Sequence, residues 1–178
     1  KKGYPGHQGI ELALVRLYRV TGNDKYLKLS KYFIDERGKQ PYFYEIEAEQ
    51  RGEKGNNGYF GDYSHKYRQA HLPVREQKVA VGHAVRAVYM YTGMAYVAAE
   101  SGDKTLADAC HKLWDNVTEK QMYITGGIGS QGYGEDFTFD YDLPNDTCYT
   151  ETCASVGLVF WARSMQELEM NGVYGDII

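Results

Sequence analysis

The chain has 178 residues with 43% hydrophobic and 25% charged side chains, an ordinary globular composition that excludes a disordered or low-complexity segment. Its net charge of −4, from 20 Lys+Arg against 24 Asp+Glu, offers no basic stripe to a phosphate backbone, so nucleic acid is excluded as an expected partner. No apolar run approaches the ~18–20 residues that span a bilayer, so a soluble chain with no membrane partner is expected and its compartment is left open.

The spacing of Ile10, Leu14, Leu17 and Tyr18 predicts an amphipathic helix from Ile10 to Thr21. Thr21-Gly22-Asn23-Asp24 ends it, and Asn23 or Asp24 caps a second helix that carries Tyr26, Leu29, Tyr32 and Phe33 up to Arg37-Gly38. From Lys39 to Gln69 glycines and charges predict a long connection that includes Gly52, Gly55 and Asn56-Asn57-Gly58. Pro73 predicts the start of a helix running from about Val74 through His83 and Met90 toward Glu100, bent at Gly93. Ser101-Gly102-Asp103 then turns the chain into a helix with Leu106, Cys110, Leu113 and Trp114.

The two helical hairpins share a skeleton: Gly6-His7 opens one and Gly82-His83 the other, and Gly22-Asn23-Asp24-Lys25 is matched by Gly102-Asp103-Lys104. A third, incomplete copy runs from Ala154 to Met170 and turns at Asn171-Gly172. Helical pairs that repeat bury their apolar faces on each other, so a mainly α toroid or solenoid is expected, with a copy of the chain covering any end left open. Met122-Tyr123-Ile124-Thr125 and the alternation of Phe137, Phe139 and Tyr141 predict a small β-hairpin around the glycine-rich loop 126–134.

Several residues in this frame invite chemistry, each with a plainer alternative. Gly127-Ile128-Gly129-Ser130-Gln131-Gly132 has the letters of a dinucleotide fingerprint but lacks its βαβ setting, so turn chemistry is expected there. Glu135 is either a general acid, its pKa raised by aromatic cover, or a solvated turn residue. Glu151 and Cys153 are two plausible zinc ligands, with the thiolate favoured by a helix dipole; alternatively Cys153 is a small buried residue. On a regular helix the two would point apart, so sharing an ion requires that the helix start near Ala154. His7 and His83 either line one cleft or cap their helices. His71, Arg75 and Glu76 with Gln69 and Gln77 form either an ion-pair network or a pocket wall. Three cysteines, Cys110, Cys148 and Cys153, are too few for a disulfide framework. The sequons at Asn116 and Asn145 are common by chance.

Taken together, Gly3-Tyr4-Pro5-Gly6-His7-Gln8, His71-Leu72-Pro73-Val74-Arg75-Glu76-Gln77, Ala80-Val81-Gly82-His83-Ala84-Val85-Arg86, Met122 to Ser130, Asp142-Leu143-Pro144-Asn145-Asp146 and Glu151-Thr152-Cys153-Ala154 resemble glycoside hydrolase family 127 over nearly the whole chain. The resemblance implies part of an (α/α)6 toroid with β-L-arabinofuranosidase activity on a carbohydrate substrate. It also implies a retaining mechanism in which a zinc-bound cysteine thiolate attacks the anomeric carbon. Glu135 matches the family's acid/base, Glu151 and Cys153 its first zinc ligands, and His7 and His83 its substrate-contacting histidines. The family's Cys-Cys-Pro-Pro motif, which bears the nucleophile, has no counterpart before Ile178. Residues 1–178 are therefore expected to be the middle of one catalytic domain, inactive alone. Other toroidal sugar enzymes, such as epimerases and uronyl hydrolases, and a non-catalytic repeat scaffold are the competing readings.

Overall fold

The computed structural model describes residues 3–53 and 61–178. In chain order it holds α1 (Ile10–Thr21), α2 (Asp24–Glu36), α3 (Phe43–Gln50), α4 (Asp62–Tyr67), a 3₁₀ turn (Val74–Glu76), β1 (Gly82–His83), α5 (Ala84–Ser101) and α6 (Lys104–Lys120). A second 3₁₀ turn (Tyr133–Glu135), β2 (Asp136–Phe137), α7 (Thr152–Leu168) and α8 (Gly172–Gly175) complete it.

The expected hairpins are present. Gly22 and Gly102 close their first helices with the same left-handed φ of 66°, and Asn23 and Asp103 cap the second helices through their side chains. α5 is the centre of the molecule. Its run of Ala, Val, Met and Tyr is buried nearly all round, as an apolar helix flanked on several sides must be, and it packs on α7, α1 and α6. Tyr91, Trp114 and Trp161 join α5, α6 and α7 through ring centroids 4.8–5.0 Å apart.

α1, α5 and α7 run parallel. At their C-terminal ends Arg19 of α1 meets Glu100 of α5 at 2.6 Å and Glu167 of α7 at 2.7 Å. At their N-terminal ends lie His7, His83 and Glu151. The parallel inner helices of a toroid require this polarity, which brings three helix starts to one face.

Three expectations need correction. The predicted helix from Val74 begins only at Ala84, because residues 77–83 are not helical and His83, not Pro73, caps the helix. α5 runs through Gly93 without a break, and a Cβ there would lie 2.8 Å from Glu11 Cβ, so the residue is small because α1 crosses closely. The connection from Lys39 to Gln69 holds α3 and α4, while Gly55 and Asn56-Asn57-Gly58 lie outside the described residues. β2 pairs antiparallel with β1, in the register Gly82↔Phe137 and His83↔Asp136, whereas Met122 makes a lone bridge to Ile128.

The side chain of Asn116 is buried, with Ala80 N–H and Gln121 Nε2 donating to it, which removes its sequon from consideration as a glycan site. All three cysteines are free. Arg75 bridges Asp35 and Asp103, both at 2.7 Å, so that member of the polar set is in an ion-pair network, whereas Gln69 and Gln77 are buried and donate to backbone carbonyls. Among the described residues no helix is long and apolar enough to cross a membrane.

Candidate active site

β1 and β2 bring the segments bearing His83 and Glu135 side by side. Gly82 makes this possible: its φ of 70° is strained for other residues, and a Cβ there would collide with the Lys66 carbonyl. His83 is the N-cap of α5, its Nδ1 accepting from Arg86 N–H at 3.4 Å. That bond leaves the proton on Nε2, which donates to Glu135 Oε2 at 2.7 Å. Burial first, and then the neighbouring Arg86, pull the His83 pKa down, favouring the neutral donor.

Glu135 is held from two sides. Its other oxygen, Oε1, accepts from the Tyr149 hydroxyl at 2.8 Å. It is half-buried and has a left-handed φ of 56°. Gln69 (φ 52°) and Thr150 (φ 40°) are also left-handed, so three of the four non-glycine residues with positive φ among the described residues lie within this assembly or against it. Backbone strain of this kind gathers where the surrounding fold over-determines a functional position.

The glycine-rich loop has a structural use that its fingerprint-like letters concealed. The Gly129 and Ser130 carbonyls accept from Thr150 and Tyr149 N–H, and Gly127 lies against the Thr150 side chain, so the strand-like run toward Glu151 is laid directly on the loop. This contact carries Tyr149 to Glu135 and sets Glu151 at the start of α7.

α7 begins at Thr152, two residues earlier than sharing an ion seemed to require. The pair nevertheless meets, because Glu151 is the N-cap with extended backbone (φ −56°, ψ 138°) and not a helical residue. Cys153 is exposed, which removes its reading as a buried small residue. Its pKa is raised first by the hydrogen bond to Glu151 and next by that carboxylate's charge, against the expected dipole effect. The Glu151 Oε2 atom is buried with no hydrogen-bond partner among the described residues.

A carboxylate and a thiol sharing a proton, with a further oxygen unsatisfied, are a donor set that a divalent cation fits. They are also only two ligands where zinc takes three or four from protein. Among the described residues no group of three His, Cys, Asp or Glu could hold a metal ion.

His7 is exposed beside His83, with ring centroids 6.2 Å apart, so the two imidazoles lie together at one end of the bundle. They are tied from below. Gln8 donates to Gln69 Oε1 at 2.7 Å, and Gln69 donates to the carbonyls of Val81 at 2.9 Å and His83 at 3.2 Å. Arg37, wholly buried, donates to the Pro5 and Arg68 carbonyls and faces buried Glu11 at 3.6 Å.

The carboxylate whose pKa burial raises is Asp136, pushed up to about 6. It is 5% exposed, paired in register with His83, and hydrogen-bonded by Tyr63. Asp136, Tyr149 and Tyr67, which lie beside these residues, were missed by the sequence reading, whereas Gln69 was named there as part of a polar set. Only the position of Tyr149 two residues before Glu151, and of Asp136 next to Glu135, could have flagged them.

The chain matches, over residues 1–178, the family described as Beta-L-arabinofuranosidase, GH127 catalytic domain. It belongs to glycoside hydrolase family 127. A non-reducing end beta-L-arabinofuranosidase of Bifidobacterium longum subsp. longum is 48% identical over 99% of this chain and 27% of its own length. A crystal structure of a family 127 beta-L-arabinofuranosidase from Geobacillus stearothermophilus T6 superposes with a TM-score of 0.95 at 64% identity, covering 99% of this chain and 27% of that one. A second family 127 structure, a beta-arabinofuranosidase, gives 0.82 at 46% identity over 99% and 25% of the two chains. The chain thus spans about a quarter of the length of these family 127 relatives, and its mainly helical fold is that of the corresponding part of their structures.

Proposed function

We propose that the whole protein is a retaining glycoside hydrolase that releases β-L-arabinofuranosyl groups, and that this chain supplies its acid/base and part of its metal site. The observation that carries the reading is the junction at Glu135: one carboxyl group reached by His83 Nε2 and the Tyr149 hydroxyl, on the face where α1, α5 and α7 all begin. Glu135 is the proton donor to the leaving oxygen in the first half of the reaction, and accepts a proton from water in the second. Both neighbours donate to it, so an incoming glycosidic oxygen takes the place of one of them.

His7 and His83, 6.2 Å apart, offer ring nitrogens to the hydroxyls of the sugar. The three helix starts add positive potential where charge on a departing oxygen develops. Glu151 and Cys153 would hold zinc together with cysteines of the whole protein outside this chain. When bound, zinc keeps a cysteine sulfur deprotonated at neutral pH, which is what a sulfur nucleophile needs.

The test is hydrolysis of an aryl β-L-arabinofuranoside by the whole protein, with and without a zinc chelator, and with the anomeric form of the first product read by NMR. Retention of configuration and loss of activity with the chelator are expected. Undiminished activity in the presence of the chelator, surviving Cys153→Ser, would sink the zinc-thiolate scheme.

A further inference from the structure

The histidines at the site end come from distant parts of the chain, and one buried amide reaches the segments of both. Gln69 lies just past the end of α4, its side chain wholly enclosed and its backbone left-handed. Its Oε1 accepts from Gln8 Nε2 at 2.7 Å, and its Nε2 donates among three backbone carbonyls, Val81 at 2.9 Å and Tyr67 and His83 at 3.2 Å. Those carbonyls fix the orientation of the amide, since turned over it would set an oxygen against three oxygens. The strained backbone is pinned as well, with Gln77 Nε2 donating to the Gln69 carbonyl at 2.9 Å.

Both rings depend on what Gln69 grips. On one side it holds the carbonyl of His83, whose ring Nε2 donates to Glu135 Oε2 at 2.7 Å. On the other it holds the side chain of Gln8, whose own backbone carbonyl accepts from the His7 ring Nδ1 at 2.6 Å. A group buried here must donate to carbonyls on one side and accept on the other without carrying charge, which a primary amide does.

We propose that Gln69 is a positioning residue for the hydrolysis, setting the spacing of His7 and His83 and, through His83, the aim of the Glu135 carboxyl. The inference rests on Glu135 being the acid of the reaction and on the two histidines holding its sugar. Gln69 is closed off from solvent, so it acts without touching substrate, by keeping the two histidine segments in register. Small displacements of the groups that hold and protonate a substrate are costly to the rate, and this amide opposes such displacements in both rings at once.

The experiment is a double-mutant cycle in the whole protein, read as kcat/KM on an aryl β-L-arabinofuranoside per folded molecule. Gln69→Met, which keeps the length of the side chain and drops its hydrogen bonds, is expected to lower kcat/KM about a hundredfold. In a His83→Ala background the same substitution should cost less than about twofold, because the ring it places is gone. A glutamine that served stability alone would give the same fold-loss in both backgrounds. That result would overturn the assignment, as would a Gln69→Met enzyme with unchanged kcat/KM. Should Gln69→Met fail to fold, Gln8→Met, which cuts the His7 branch, decides by the same comparison in a His7→Ala background. Equal losses in the two backgrounds, in an enzyme that still needs Glu135, would remove the role of Gln69 alone. Full activity of Glu135→Gln would remove the acid reading and the positioning role with it.

Discussion

At the C-terminal ends of α1, α5 and α7, Arg19 reaches Glu100 and Glu167, and the three charges satisfy one another in partial contact with water. At the N-terminal ends of the same helices the polar groups are more numerous, deeper and less completely matched. Arg37 and Glu11 are wholly buried, and Glu151 and Asp136 each keep a buried oxygen without a partner among the described residues. Three left-handed non-glycine residues sit on or against that end. One end of the bundle is closed by its own charges, whereas the other keeps polar groups less completely matched. The proposed site lies at the end where the fold stores unsatisfied hydrogen bonding and strain.

The sharpest way to break the comparison is at Glu135. In the whole protein Glu135→Gln should lower kcat/KM on a glycoside with a poor leaving group by about a thousandfold, since the acid that protonates it is gone. The loss should shrink for a nitrophenyl leaving group, and comparing the two substrates checks the assignment.

Next comes the buried charge beneath the histidines. Arg37→Met leaves Glu11 buried and unpaired, and should cost about 3–5 kcal/mol in urea unfolding. A smaller loss, below about 1 kcal/mol, would mean that the site end is no more demanding than the other.

The metal pair gives a test that needs no substrate. Excess zinc should slow alkylation of Cys153 in the whole protein about tenfold and leave exposed Cys148 unchanged, with Glu151→Ala abolishing the protection. Mass spectrometry of the labelled peptides reads both sites at once. Zinc-independent labelling would separate Glu151 and Cys153 from metal binding.

Asp136 has a pH signature. Burial raises its pKa from 3.8 to about 6, so the folded chain binds this proton more tightly than the unfolded one. Stability from this group is therefore fullest below 3.8 and lost as pH rises through about 6. Asp136→Asn, which can still accept from Tyr63, should gain melting temperature over the unaltered chain as pH is raised from 4 to 7.

The smallest effect is expected at the far end. Arg19→Ala removes two partly exposed ion pairs and should cost less than about 1 kcal/mol with no change in kcat/KM.

Much of this was legible in the chain itself. Apolar spacing, Asn23, Asp103 and the recurring glycine turns specify the hairpins, because local capping and periodicity are short-range properties. The motifs around His7, His83, Glu135, Glu151 and Cys153 pointed to the family whose catalytic domain the whole chain matches. What local pattern could not decide was pairing across distance. β2 chose β1 over the residues at 122–125, and His83 found Glu135 across 52 positions, through contacts that no periodicity records. The non-helical stretch before α5 and the early start of α7 likewise depend on neighbours: Lys66 packed against Gly82, and the glycine loop laid under Thr150. Burial in turn raises the pKa of Asp136, and only the fold decides that its carboxyl is buried.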